Sequence, residues 1–295
     1  MPAVTQCPFD HAVISVRERM DEAAAIYRRM GFTLTERSFH PAGSCNHLMV
    51  FERDYLELIG FPPAGQTIRP DLLEGPIGLD GLVFKAGDVD AIWRELVARG
   101  FPAAAPQGLA RKLTLPGSSV EDEARFTTVR LPRGALAGGR LYYCRHETPQ
   151  FIWHAPFQVH RNGALGIASF TIAVPDPAQE ITKYERILDT AATIDPDGSA
   201  RIRMGHAQLE LLTPAALQAQ LGALACDARD FDGRRRDAYM AMVTIRVRDL
   251  AVTQRELQQG GFAVMPLRNG IAVAASEAMN CTIAFSHQAA AGRGD

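Results

Sequence analysis

The chain has 295 residues, 47% hydrophobic and 22% charged, a globular composition with enough apolar mass for two ordinary domains. A formal net charge of −2 excludes the basic footprint expected of a nucleic-acid or anionic-membrane binder, and the partners it leaves are small molecules. No basic start leads into an apolar run and no stretch reaches the roughly 18 apolar residues of a spanning helix, so the expected location is the cytoplasm. The five cysteines are odd in number and lack a C-x-x-C pair, which reads as reduced thiols.

In chain order, FDHAVISV (9–16) reads as a strand, followed by a helix whose apolar stripe is Ala23, Ile26, Tyr27 and Met30 and which Gly31-Phe32 ends. Three strand candidates follow, at 33–39, 46–52 and 55–60. A second strand, GLVFKAG, leads into the helix DVDAIWRELVARGF (88–101). GALAGGR (134–140) reads as a hairpin loop, GRLYYCRH as a strand, and 154–165 as a junction broken by Pro and Gly. Beyond it, TAATIDPDGSA (190–200) reads as a turn-rich loop, 229–239 as a solvated charged linker and the last residues as a disordered tail.

The chain repeats itself. DLAVTQRELQQGGF (249–262) carries Arg-Glu-Leu and Gly-Phe 161 positions after the same residues of 88–101. IYRRM (26–30) resembles KYERI (183–187), and YLELIG (55–60) resembles QLELLT (208–213). Four strand-helix-strand units thus begin near 9, 79, 166 and 240 and pair into two domains, residues 1–160 and 161–290, with 291–295 as tail.

Three polar residues on apolar strands ask for partners. Alternation puts Phe9, His11, Val13 and Ser15 on one face of their strand and Asp10, Ala12 and Ile14 on the other. Glu57 shares a face with Tyr55 and Ile59, where a carboxylate is costly unless paired, hydrogen-bonded or metal-bound, a solvated sheet face being the alternative. His146 shares a face with Tyr142 and Cys144, or else caps a turn. Phosphate-loop, serine-elbow and dinucleotide motifs are all missing from the sequence.

FDHAVISV, IYRRMGF, GSCNHLMVFERDYLELIGF, GLDGLVFKAGDVDAIWRELVARGF and LYYCRHETPQFIW together resemble the vicinal oxygen chelate superfamily, in its glyoxalase-like and extradiol dioxygenase-like branch. The resemblance covers about the first 165 residues. It implies an α+β fold of four βαβββ modules paired into two domains, the first module pair spanning 9–78 and 79–153. It also implies a divalent metal on His11, Glu57 and His146, with Gly81 where the family often has a fourth ligand. The ligand set tilts towards Fe2+, with Mn2+, Zn2+ and Ni2+ as the other choices. Asn46, Met49, Phe51, Tyr55 and Phe126 are expected to line a substrate pocket. His47 is an acid/base candidate, a brace or a lining residue. Trp153, His154 and His160 stand near the pocket's end. In the second half Glu210 corresponds to Glu57, His287 is the candidate match to His146 and the position matching His11 falls near Ala168, a degenerate site.

The implied activity is that of a metal-dependent dioxygenase or glyoxalase-like lyase or isomerase on a substrate with adjacent oxygens; the alternative is a metal-free small-molecule binding protein. Neither nucleic acid nor membrane is an expected partner, and a homodimer is left open.

Overall fold

The computed structural model describes residues 5–41, 43–62, 70–229 and 232–287; the expected tail at 291–295 lies outside them. The first unit comprises β1 (Phe9–Arg17), α1 (Met20–Arg29), β2 (Ser38–His40), β3 (Ser44–Val50) and β4 (Tyr55–Gly60). A single helical turn, α2 (Pro70–Leu73), leads to β5 (Gly78–Lys85), α3 (Val89–Ala98), β6 (Gln107–Thr114), β7 (Glu121–Arg130) and β8 (Arg140–His146). The third unit is β9 (Ala164–Ala173), α4 (Pro177–Leu188), β10 (Ala192–Ile194), β11 (Ala200–Met204) and β12 (Ala207–Leu212), followed by α5 (Pro214–Leu221). The fourth is β13 (Tyr239–Val247), α6 (Leu250–Gln259), β14 (Val264–Leu267), β15 (Gly270–Val273) and β16 (Thr282–His287).

The strands form two eight-stranded sheets of matching order, β2-β3-β4-β1-β5-β8-β7-β6 and β10-β11-β12-β9-β13-β16-β15-β14. This is the α+β arrangement of four βαβββ modules in two pairs. Local chemistry sets the module ends. Asp88, Asp176 and Asp249 cap α3, α4 and α6 by accepting from backbone N–H groups of the first turn, each cap contributing about 1 kcal/mol. Gly31, Gly100 and Gly261 lie at positive φ after their helices and turn the chain so that the following phenylalanine re-enters the core. In the third unit Asp189 takes that left-handed position, at φ 49°.

Two expected boundaries shift. The strand foreseen at 33–39 is reduced to Ser38–His40, because Thr33 and Thr35 spend backbone N–H groups on His160 Nδ1 and on Leu48 O. Within the expected 190–200 loop, residues 192–194 pair with β11 as an edge strand.

One core runs through both sheets, from Leu56, Leu58 and Tyr27 of the first half to Ile283 and Phe285 of the second. The first sheet curls until its edges meet: β2 lies against β6, and Arg111 Nη1 donates to Ser38 Oγ across them at 2.6 Å. The face enclosed by this curl carries the polar residues.

Candidate metal centre

β1 and β4 run parallel, with His11 opposite Tyr55 and Val13 opposite Glu57. β1 and β5 run antiparallel with His11 opposite Val83 and Val13 opposite Gly81. The first sheet is therefore pseudo-symmetric about the β1–β5 pair, and Gly81 stands where His11 stands in the other module. The β5–β8 register sets Gly81 against Arg140 and Val83 against Tyr142. Tyr142, rather than His146, thus occupies the position equivalent to Glu57.

The four equivalent positions hold His11, Glu57, Gly81 and Tyr142. His11 Nε2 lies 3.8 Å from Glu57 Oε2, 3.3 Å from the Tyr142 hydroxyl and 3.4 Å from the Tyr55 hydroxyl. The Tyr55 ring stacks on the imidazole, 4.1 Å between centroids. Asn46 Nδ2 donates to Glu57 Oε1 at 2.6 Å and fixes that carboxylate. Behind His11, Nδ1 donates to Asp10 Oδ2 at 2.8 Å, which leaves the Nε2 lone pair facing Glu57.

Asp10 is the residue of this candidate site that alternation missed. Between Phe9 and His11 the β1–β5 register slips by one residue, and this bulge turns the Asp10 and His11 side chains to the same face. Phe9 joins the helix-side core instead. Asp10 Oδ2 also accepts from His146 Nε2 at 2.8 Å, and Lys85 Nζ is 3.6 Å from Oδ1. Burial raises the Asp10 carboxyl, but His146 and His11 outweigh it and hold it well below the usual carboxylate range. A mirrored bulge in β5, between the Val13–Gly81 and Ile14–Leu79 pairs, sets out Asp80, which accepts from Arg133 and Arg140.

His146 therefore lies beyond Asp10, and its Nε2 is spent on that carboxylate. It forms a second set with Asp10 and Cys144, whose possible ligand atoms all lie within 4.8 Å of one another, the one such cluster of His, Cys, Asp and Glu among the described residues. Burial pushes the Cys144 thiol well up, so it is a protonated thiol rather than a ready thiolate.

A cavity of about 60 Å³ adjoins His11 and Glu57, bounded also by Asn46, Tyr55, Phe126 and Arg111. Asn46, Tyr55 and Phe126 border it, whereas Met49 and Phe51 belong to the helix-side core. The antiparallel register sets Leu48 against Glu57 and Met49 against Leu56, so Met49, Phe51 and His47 have the opposite parity and face away. His47 Nδ1 donates to Thr35 O at 2.7 Å and its Nε2 accepts from Arg37 at 3.4 Å; burial lowers its pKa. This corrects both the acid/base candidate and the two apolar lining residues. His160 is a brace, accepting from Thr33 N and donating to Val50 O. Trp153 packs against His146, 4.8 Å between centroids.

A further ligand at Gly81 is excluded by packing as well as by composition. A Cβ there would lie 2.9 Å from Val13 Cβ. In the second sheet the registers place Ser169, Glu210, Met242 and Ala284 at the four equivalent positions. Ser169, next to Ala168, matches His11, and Glu210 alone of the four is a metal-binding type.

His11 Nε2 and Glu57 Oε2 fit a divalent ion: their separation is one that a single ion with bonds of about 2.0–2.2 Å spans, and a carboxylate behind the histidine is the usual support of a metal-ligating imidazole. The Tyr142 hydroxyl is a weaker third donor, since burial pushes its pKa above the usual phenol value.

The fold is similar to that of a hypothetical protein from Staphylococcus aureus, with a TM-score of 0.65 at 9% identity over 95% of this chain and 99% of that one. It is also similar to a mutant of 4-hydroxymandelate synthase from Streptomyces coelicolor, 0.55 at 14% over 90% and 77%. A Mn(II)-bound glyoxalase from Novosphingobium aromaticivorans gives 0.57 at 10% over 97% and 83%. No curated protein matches the sequence. Among the described residues no helix is long and apolar enough to cross a membrane. The glyoxalase-like domain family matches residues 9–188, more than half of the chain. This protein belongs to that family and, through it and the shared fold, to the vicinal oxygen chelate superfamily.

Proposed function

We propose that the protein is a divalent-metal-dependent enzyme of the glyoxalase or dioxygenase type, with the metal held by His11 and Glu57 and the substrate bound through adjacent oxygens. The observation that carries this reading is the convergence of His11 Nε2 and Glu57 Oε2 in a buried cavity, with Asp10 behind the imidazole. When bound, the metal supplies Lewis-acid stabilisation of negative charge on the substrate oxygens. Asp10 holds the imidazole in the tautomer that presents Nε2, and Asn46 holds the Glu57 carboxylate. The Tyr142 and Tyr55 hydroxyls, which lie beside His11 Nε2, would be placed to donate to a substrate oxygen. Leu48 and Phe126 form part of the cavity's apolar wall. His146, tied to Asp10, is a positioning residue in this scheme. The manganese named for the Novosphingobium glyoxalase and the enzymes among the fold's relatives are consistent with this reading.

The contrasting reading, a metal-free binding protein, is favoured by Gly81 and Tyr142 in two of the four ligand positions. Mn2+ and Fe2+ titrations of the wild type, His11→Ala, Glu57→Gln, Cys144→Ala and His146→Ala separate the two. Loss of binding in His11→Ala and Glu57→Gln, with Cys144→Ala unaffected, supports the metal enzyme. Loss confined to Cys144→Ala and His146→Ala moves the metal to the Asp10 cluster. No metal uptake by the wild type leaves the binding protein.

A further inference from the structure

Arg111 of β6 is only 4% exposed, yet it borders the cavity that holds His11 and Glu57. A guanidinium has five N–H donors and keeps its charge at any ordinary pH. Among the described residues Arg111 makes one hydrogen bond, to Ser38 Oγ, and its charge lies 5.9 Å from the Phe126 ring centre. The contrast with Arg140 is direct. That arginine is equally buried but meets Asp80 at 2.9 Å and Asp71 at 2.8 Å. Among the described residues Arg111 has no ion pair of this kind. Burying a charge without a counter-ion is costly, and burial accordingly lowers its pKa, with Tyr55 and Glu57 opposing that shift.

Position adds a second, independent observation. Arg111 and His40 are shared between the inner cavity of about 60 Å³ and an outer groove of about 690 Å³ formed along β2 and β6. The Arg111–Ser38 hydrogen bond therefore lies where the groove meets the cavity, and a ligand entering from the groove passes the guanidinium before it reaches Glu57.

We infer that Arg111 is the recognition residue for a carboxylate on the substrate, and that the ligand class is a small 2-oxo or 2-hydroxy carboxylic acid. The carboxylate supplies the paired counter-ion that no described residue gives Arg111 and accepts from the guanidinium fork, while the neighbouring oxygen points towards His11 and Glu57. The placement of that second oxygen rests on the metal-enzyme reading; recognition of the carboxylate does not. A neutral analogue of the same shape leaves the buried charge uncompensated and is rejected.

The test is calorimetric titration of the full chain with pyruvate and salicylate, each against its neutral amide, with and without Mn2+. The wild type is expected to prefer each acid over its amide by about tenfold or more. Arg111→Met is expected to lose the preference, Arg111→Lys to retain part of it, and Ser38→Ala to keep it, with melting curves establishing that each variant is folded. A preference unchanged in Arg111→Met, or a wild type that binds neither acid, overturns the inference. An Arg111-dependent preference in a protein that takes up no Mn2+ upholds it while the metal reading falls. Mn2+ uptake lost in Glu57→Gln, together with no effect of Arg111→Met, removes this inference alone.

Discussion

Asp10 and His11 are neighbours in the chain, yet their side chains lie on the same face of β1, with Oδ2 and Nδ1 2.8 Å apart. The β-bulge between Phe9 and His11 makes this contact and couples the imidazole to a carboxylate of 0% exposure that also receives His146. His11, Asp10 and His146 therefore act as one unit, and Glu57 approaches it from the far side of His11.

Asp10→Asn keeps the shape but removes the charge that fixes the His11 tautomer. Metal affinity is expected to fall by about 10- to 100-fold, the usual effect of losing such a support. Mn2+ isotherms of wild type and variant check this; equal affinities would mean that the His11 ring is held by the Tyr55 stack alone.

Asp80 is the mirror-image bulge residue, at 0% exposure with Arg133 and Arg140 on its two oxygens. Asp80→Asn leaves two guanidinium groups short of a counter-ion and is expected to cost about 3–5 kcal/mol. Urea unfolding measures it directly, and a loss under about 1 kcal/mol would show that Asp71 alone can hold Arg140.

Gly81→Ala places a methyl 2.9 Å from Val13 Cβ. Overpacking of this kind costs about 1–3 kcal/mol, and Val13→Ala in the same chain is expected to restore much of it. Chemical denaturation of the single and double variants gives the coupling; simple additivity would mean that the strands move apart freely.

Asp54 joins the two sheets, with Oδ2 2.5 Å from His206 Nε2 and Oδ1 accepting from Ile167 N at 3.0 Å. Burial raises its carboxyl above the ordinary value, more than His206, Ile167 and Arg246 lower it. With the folded pKa above the unfolded one, the stability linked to this proton is fully present below the unfolded value, about 3.9, and is lost as pH rises through the folded value. The stability of the wild type relative to Asp54→Asn is therefore expected to decline as pH rises above about 4. Unfolding free energies across a pH series check the sign, and the opposite slope would show that His206 and Arg246 outweigh burial.

By itself the sequence determined the modules and their ends. The Arg-Glu-Leu and Gly-Phe repeat, the Gly31-Phe32 stop and the amphipathic stripe of the first helix are local signals that depend on few residues. It also set Glu57 on one face with Tyr55 and Ile59, because strand alternation holds wherever no bulge intervenes. Only the tertiary structure decided the rest. A slipped register brought Asp10 beside His11, and strand pairing put Tyr142 in the place expected for His146. The parity of β3 turned His47, Met49 and Phe51 into the helix-side layer. The curl of the first sheet carried Arg111 from an edge strand to the cavity of Glu57. Each of these depends on which strand lies opposite which, and at what register, and those pairings are fixed by contacts between residues far apart in the chain.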